Sequence, residues 1–243
     1  MPDLPDREVN ADNLIYFMVM KTVSIILCAL FFNSCLFSQN DNKVLTDIDT
    51  RLAKGQTTIS AVLSDPGFMF LHSQSAFRQI IKKHAKTGAV KIITNAEPGK
   101  KIIVKGKIET SDGKPLTDAL MYFYHTSDKG WYSDTAAHIL VREGDMGHAR
   151  LFGYLKTDVK GQFEFETIQP KGYPQSDFPG HIHIMLWKDD RIVSGIPNEF
   201  QFDDDPRLTP ERKTRSVRDG NMIEKNTGTA DRPVYYYAIK LKQ

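Results

Sequence analysis

Tyr173-Pro174-Gln175-Ser176-Asp177-Phe178-Pro179-Gly180-His181-Ile182-His183 is the stretch on which the reading of this chain turns. Its two halves differ in character. Prolines and a glycine mark the first half as irregular backbone, and the second half runs on through Ile184, Met185, Leu186 and Trp187 as an apolar segment that reads as a β-strand. Side chains alternate along a strand, so residues two apart share a face, and His181 and His183 converge on one point. Imidazole is the commonest protein ligand for a transition metal. A lone His-x-His is more often a pair of histidines on a solvated strand face, so its neighbours in the chain decide the matter.

Working outward, the segments on either side carry strand signals. After Pro98-Gly99, Val104, Gly106 and Ile108 alternate with polar residues; Asp112-Gly113 forms a turn, and Ala119 to Tyr124 reads as the next strand. Tyr154 to Thr157, a turn at Asp158 to Gly161, and Phe163, Phe165 and Thr167 form a hairpin pattern, and Val234 to Leu241 supplies a last strand. Short strands at regular spacing predict an all-β fold, a β-sandwich. Ser133 to Gly147 and Asp203 to Asp231 are the long irregular stretches, read as functional loops. Between Asn40 and Glu97 the periodicity is helical in places. Leu45, Ile48 and Leu52 share a helical face, and Ser75 to Ala85 places Phe77, Ile80 and Ile81 on one side with Lys82 and Lys83 at its end. This predicts a short helical arm over residues 39–96 packed on a catalytic β-sandwich over 97–243.

Composition narrows the partners. With 243 residues, 40% hydrophobic and 26% charged, the chain has the balance of a soluble globular protein. A net charge of +2 without a long basic run argues against nucleic acid. The two cysteines, Cys28 and Cys35, both fall in the apolar segment Val23 to Phe37 behind Lys21. That segment is too short and interrupted for a membrane span and fits a secretory signal peptide starting at Met20, with residues 1–38 as upstream extension and signal. Release after Ser38 is the favoured route. The second is a lipid on Cys35 within the imperfect lipobox Phe32-Asn33-Ser34-Cys35. Either route predicts a secreted, periplasmic or cell-envelope protein without disulfides.

Two further segments complete the argument. Tyr124-His125-Thr126-Ser127-Asp128-Lys129-Gly130-Trp131-Tyr132-Ser133 resembles the intradiol ring-cleavage dioxygenases of the catechol and protocatechuate type, in which an aromatic-His pair leads through a glycine to an iron-binding tyrosine. Thr157 to Phe163, followed by Thr167 to Pro174, is similar to the strand, turn and second iron tyrosine of their C-terminal catalytic domain, and His181-Ile182-His183 falls where their paired histidines belong. The resemblance spans about residues 97–210 and implies Tyr132, Tyr173, His181 and His183 as ligands of a non-haem Fe(III). It implies a catechol-type substrate and dioxygen, with Tyr132 and Tyr173 as catalytic residues and a muconate-type diacid as product. Tyr173 would then yield its place to the substrate and act as base.

The donor chemistry agrees: two phenolate oxygens and two imidazole nitrogens without sulfur suit a hard trivalent cation, which would itself hold the phenols ionised. Phe178 stands three residues before His181, where the family usually has an arginine, with Lys171 and Arg150 as the nearby cations. Glu199 stands about where a glutamine is common. His125 is read as a buttress. His138 and His148, with Glu143 and Asp145, are irregularly spaced and read as solvated loop residues. Two alternatives stay open: a non-catalytic secreted β-sandwich binding module, and an iron-bound relative that sequesters catechols. Pairing with a second copy of the chain is left open as well.

Overall fold

In a computed structural model of the chain, the described residues are 41–133 and 149–242. The segment read as a signal peptide and residues 134–148, with His138, Glu143, Asp145 and His148, lie outside them. The compact unit Ile48–Gln243 follows a unit Met1–Asp47.

Helix α1 covers 41–53, with Leu45 and Ile48 buried as the spacing predicts. Helix α2 (Ile59–Ser64) starts at Thr58, whose side chain accepts from the amide of Ala61; a 3-10 turn follows over Pro66–Leu71. Helix α3 (Ser75–His84) buries Phe77 and Ile81, and its last turn carries Lys82 and Lys83, cations placed at the negative end of its dipole. Ion pairs tie α3 to the sheets, Lys82 to Asp118 at 2.7 Å and Arg78 to Asp190 at 3.1 Å.

The rest is mostly sheet. The strands are β1 (Lys86–Thr87), β2 (Ala89–Lys91), β3 (Lys101–Glu109), β4 (Leu120–His125), β5 (Leu151–Lys156), β6 (Gln162–Ile168), β7 (His181–Lys188), β8 (Arg191–Ile192) and β9 (Glu199–Phe202). Helix α4 (Pro210–Arg218), β10 (Met222–Glu224) and β11 (Val234–Lys240) follow. One sheet runs β1-β5-β4-β7-β9-β10 with β8 beside β7; the other runs β11-β3-β6-β2. The long pairings are antiparallel except β11 on β3, and the short strands β1, β2 and β10 add in parallel. The stretch 39–96 thus contributes two strands as well as helices.

The two sheets share one core. Phe123 of β4 stacks on Phe165 of β6 at 3.8 Å between centroids, Phe200 of β9 stacks on Tyr237 of β11 at 4.0 Å, and Phe202 meets Tyr235 edge-on at 4.7 Å. Alternation decides which residues take part. Along β7, Ile182, Ile184 and Leu186 enter the core, and His181 and His183 take the opposite face. The irregular stretch read over Asp203 to Asp231 is corrected by α4 and β10. Thr209 caps α4 by accepting from the amide of Arg212, and Pro210 occupies the first turn. Its residues are almost all polar, so no apolar stripe announced it.

Two positions in this frame are tightly constrained. Gly106 of β3 lies opposite Phe163 on one side and Tyr237 on the other, and a Cβ there would overlap the Phe163 ring and the Tyr237 carbonyl. Gly106→Ala is expected to cost roughly 1–3 kcal/mol, read as a lower urea midpoint; an unchanged midpoint would contradict this packing. His125 closes β4 and bridges the sheets. Its Nδ1 donates to the Thr126 carbonyl at 2.8 Å, and its Nε2 accepts from the Thr167 hydroxyl of β6 at 2.7 Å. Burial holds its pKa down at about 4, below the usual 6.5, so the unfolded chain binds the proton first as pH falls. The stability that neutral His125 supplies is complete above pH 6.5 and is lost on the way to pH 4; it amounts to about 3 kcal/mol. Denaturation of wild type and His125→Gln at pH 7 and pH 4.5 checks this: the variant should show the shallower pH dependence, and equal slopes would reject it.

Candidate metal centre

Three pieces of chain meet at one end of the larger sheet. The first leaves β4 at His125. Ser127 receives the amide of Gly130, and its own amide donates to the Trp131 carbonyl at 2.8 Å, forming the turn that delivers Tyr132. Gly130 has φ +78°, and a Cβ there would overlap the carbonyl of Gly172. Only glycine permits the Tyr132 and Tyr173 segments to lie this close. The Tyr132 carbonyl accepts from the amide of Arg150 at 2.7 Å, which fixes the segment at its other end.

The second piece joins β6 to β7 and carries Tyr173. The Lys171 carbonyl accepts from the Thr126 hydroxyl at 2.6 Å, and Arg207 Nη1 donates to the carbonyls of Tyr173 and Phe178 at 3.1 and 3.2 Å. The amide of Gly180 donates to Asp205 at 2.7 Å. β7, the third piece, begins one residue later with His181.

All four residues expected as ligands come together. Tyr132 Oη lies 2.8 Å from Tyr173 Oη and 3.0 Å from His183 Nε2; Tyr173 Oη lies 3.2 Å from His181 Nε2; the two Nε2 atoms are 3.1 Å apart. The four atoms close a ring. Donors about 2.0–2.1 Å from a first-row metal stand about 2.9 Å apart at a right angle and about 3.3 Å apart at a tetrahedral one. The observed edges have the dimensions of such a ligand set. His181 Nδ1 donates to the Pro179 carbonyl at 2.9 Å, so in the neutral ring its Nε2 offers a bare lone pair to the centre.

The surroundings hold the donors in place. Tyr132 and His181 are buried, while Tyr173 and His183 are partly open. Tyr124 stacks on His183 at 4.6 Å and 19°, and Tyr122 stacks on Tyr124 at 5.2 Å, giving the centre an aromatic floor. Burial raises the pKa of both Tyr132 and Tyr173, and the charge of Glu199 pushes the same way. Without a cation, both phenols keep their protons.

The neighbouring positions read from the sequence are placed as follows. Phe178 meets His181 edge-on at 5.1 Å. Arg150 forms a two-pronged ion pair with Glu97, each contact 2.8 Å, and that guanidinium holds the Glu97 carboxyl below the usual carboxylate range. Lys171 is exposed. His125 engages Thr126 and Thr167 with its two ring nitrogens, between the sheets. Sequence reasoning gave no role to Arg207, whose two carbonyl contacts span the Tyr173 loop from 34 residues away, nor to Gln201, whose amide reaches Glu199 at 3.1 Å. A cavity of about 500 Å³ lined by Thr58, His84, Lys91, Phe152 and Tyr154 includes none of the donors.

Known proteins with similar sequences carry related names. The family model Dioxygenase_C, described as Dioxygenase, matches residues 75–242. Catechol 1,2-dioxygenase 1 of Acinetobacter lwoffii is 27% identical over 147 residues, 53% of this chain and 45% of that protein. The protocatechuate 3,4-dioxygenase beta chain of Burkholderia cepacia is 30% identical over 128 residues, 48% of this chain and 51% of that one. The chain spans about half the length of these curated relatives. Among solved structures, the dioxygenase domain of a dioxygenase–carbohydrate-binding protein fusion from Streptomyces sp. SirexAA-E has a TM-score of 0.48 at 21% identity, over 65% of this chain and 89% of that one. With the family match running from α3 to the end of β11 and taking in every strand, the chain belongs to the intradiol ring-cleavage dioxygenase family.

Proposed function

We propose that this chain is an intradiol ring-cleavage dioxygenase with an intradiol-type β-sandwich as its catalytic domain. In this reading Tyr132, Tyr173, His181 and His183 hold a non-haem ferric ion, and O2 is inserted into a catechol-type diol to give a muconate-type diacid. The observation that carries the reading is the closed ring of two phenol oxygens and two imidazole nitrogens, with edges of 2.8–3.2 Å and no sulfur. Hard oxygen donors with imidazole select ferric iron over softer metals. A ferric ion held by these residues would supply Lewis-acid chemistry, favouring the ionised phenols and polarising a bound diol toward reaction with dioxygen.

The protein's own residues divide the remaining tasks. Tyr132 is buried and pinned at both ends of its segment, and it stays in place as an anchor. Tyr173 is partly open and lies on a loop, so it is the donor that yields to the arriving diol, its Oη taking a proton from a substrate hydroxyl. His181 keeps its Nε2 aimed by the bond from Nδ1 to Pro179, and His183 keeps its plane by stacking on Tyr124. Phe178 lends the site an apolar wall and excludes water on that side. Its phenyl ring also favours a second reading, an iron-bound relative that captures catechols without cleaving them, because a ring supplies no charge to an activated substrate. On the apolar segment behind Lys21, with Met20 as its start, the protein is proposed to work outside the cytoplasm.

Purified full-length chain loaded with ferric iron should show a visible tyrosinate charge-transfer band that shifts on adding catechol, with uptake of one O2 per diol. A colourless protein that retains no iron would reject both iron readings. A band that shifts without O2 uptake would leave the capturing one. Tyr132→Phe should abolish or strongly shift the band. Gly130→Ala, which forces the two tyrosine segments apart, should lower iron content at least several-fold while Gly113→Ala, at an open turn, leaves it unchanged. Equal iron content in both variants would reject this account of how the tyrosines are brought together.

A further inference from the structure

One carboxylate stands beside the four donors. The register of β7 on β9 puts Glu199 opposite His183 and Gln201 opposite His181. Glu199 Oε1 lies 3.7 Å from His181 Nε2 and 3.9 Å from His183 Nδ1, and the two histidines and Glu199 form a group that can share one cation. Its other oxygen, Oε2, accepts from the side-chain amide of the fully buried Gln201 at 3.1 Å, which leaves Oε1 turned toward the histidines. The Glu199 side chain is only 14% exposed, and among the described residues no lysine or arginine pairs with it. Its polar neighbours are the two imidazoles and the Gln201 amide, and a largely buried carboxylate so placed favours a cation that answers its charge.

The charges then balance. Two phenolates and one carboxylate amount to three negative charges, the number that neutralises a trivalent ion, whereas the phenolates alone leave one positive charge over. We propose that Glu199 is the third anion of the metal centre, supplying its carboxylate through Oε1 beside His181 and His183. This rests on the ferric reading above and deepens it. A third anion binds the ion more firmly and makes it a weaker electron acceptor. It also opposes the arrival of further anions, so that the diol must displace more negative charge to bind.

The test uses the full chain loaded with ferric iron, in wild type, Glu199→Gln and Glu199→Asp, with circular dichroism confirming that each is folded. Glu199→Gln keeps the side-chain volume and an oxygen for Gln201 but removes the charge. Its tyrosinate band should move to longer wavelength, and an aminocarboxylate chelator should remove its iron roughly 10-fold faster or more. Glu199→Asp keeps the charge and should lie closer to wild type in both readouts. A Gln variant with the wild-type band and release rate overturns the proposal, as does an Asp variant perturbed as much as the Gln variant, since shape and not charge would then be at stake. A wild type that takes up no iron removes the ferric reading and this proposal with it. A coloured, oxygen-consuming wild type beside an unresponsive Gln variant removes this proposal alone.

Discussion

The two-residue period of β7 is the constraint from which the rest follows. Ile182, Ile184 and Leu186 are buried between the sheets, and that burial leaves the opposite face to His181 and His183. A slip of one residue would put imidazoles in an apolar core and isoleucines at the centre, so the core packing that stabilises the fold also fixes where the donors point. Position in the sheet adds to this. β7 lies between β4 and β9, and their facing residues, Tyr124 and Glu199, are both directly opposite His183.

The strand supplies half of a donor set; loops supply the other half, and these need more determination than a sheet provides. Gly130 removes the side chain that would separate two backbones, and Arg207 and Thr126 take up carbonyls on both sides of Tyr173. The result gathers two imidazole nitrogens, 3.1 Å apart, with two phenols whose ionisation burial opposes. A cation bound among them would attract all four donors at once. This is why the geometry argues for a metal more strongly than the identity of any one residue does.

The legible part of the fold was the part with period. Val104, Gly106 and Ile108, Phe163 and Phe165, and the alternating tyrosines of Val234 to Leu241 each announced a strand in the sequence, because one face of each is core. The two- and three-residue strands β1, β2, β8 and β10 have no period to read and exist through pairing, β8 with the adjacent β7 and the others with strands farther along the chain. Helix α4 lacks an apolar stripe, although Thr209-Pro210-Glu211 is a cap signal that a search for ends, not faces, would find. The histidine pair was legible from strand alternation as a candidate, and the two tyrosines only as a resemblance, in which order along the chain stood in for proximity. Glu199 was noticed as a departure, but its meaning depends on strand register, which a single sequence does not display.

Charge around the centre is arranged in a consistent way. The Arg207 guanidinium braces the backbone that carries Tyr173 through two carbonyls, whereas the Arg150 guanidinium is engaged by Glu97 and only its amide braces Tyr132. Phe178, in the loop that precedes β7, contributes a ring edge-on to His181. Among the described residues the acidic side chain beside the two histidines is Glu199, and on the ferric reading proposed above the metal would supply positive charge to a bound diol. On that reading the site would suit a substrate that brings its two hydroxyls without a further anionic group, since a carboxylate on the ring would meet Glu199. In the proposed reading, recognition would rest on the diol and on the apolar wall at Phe178, and selectivity among catechols on what that wall excludes.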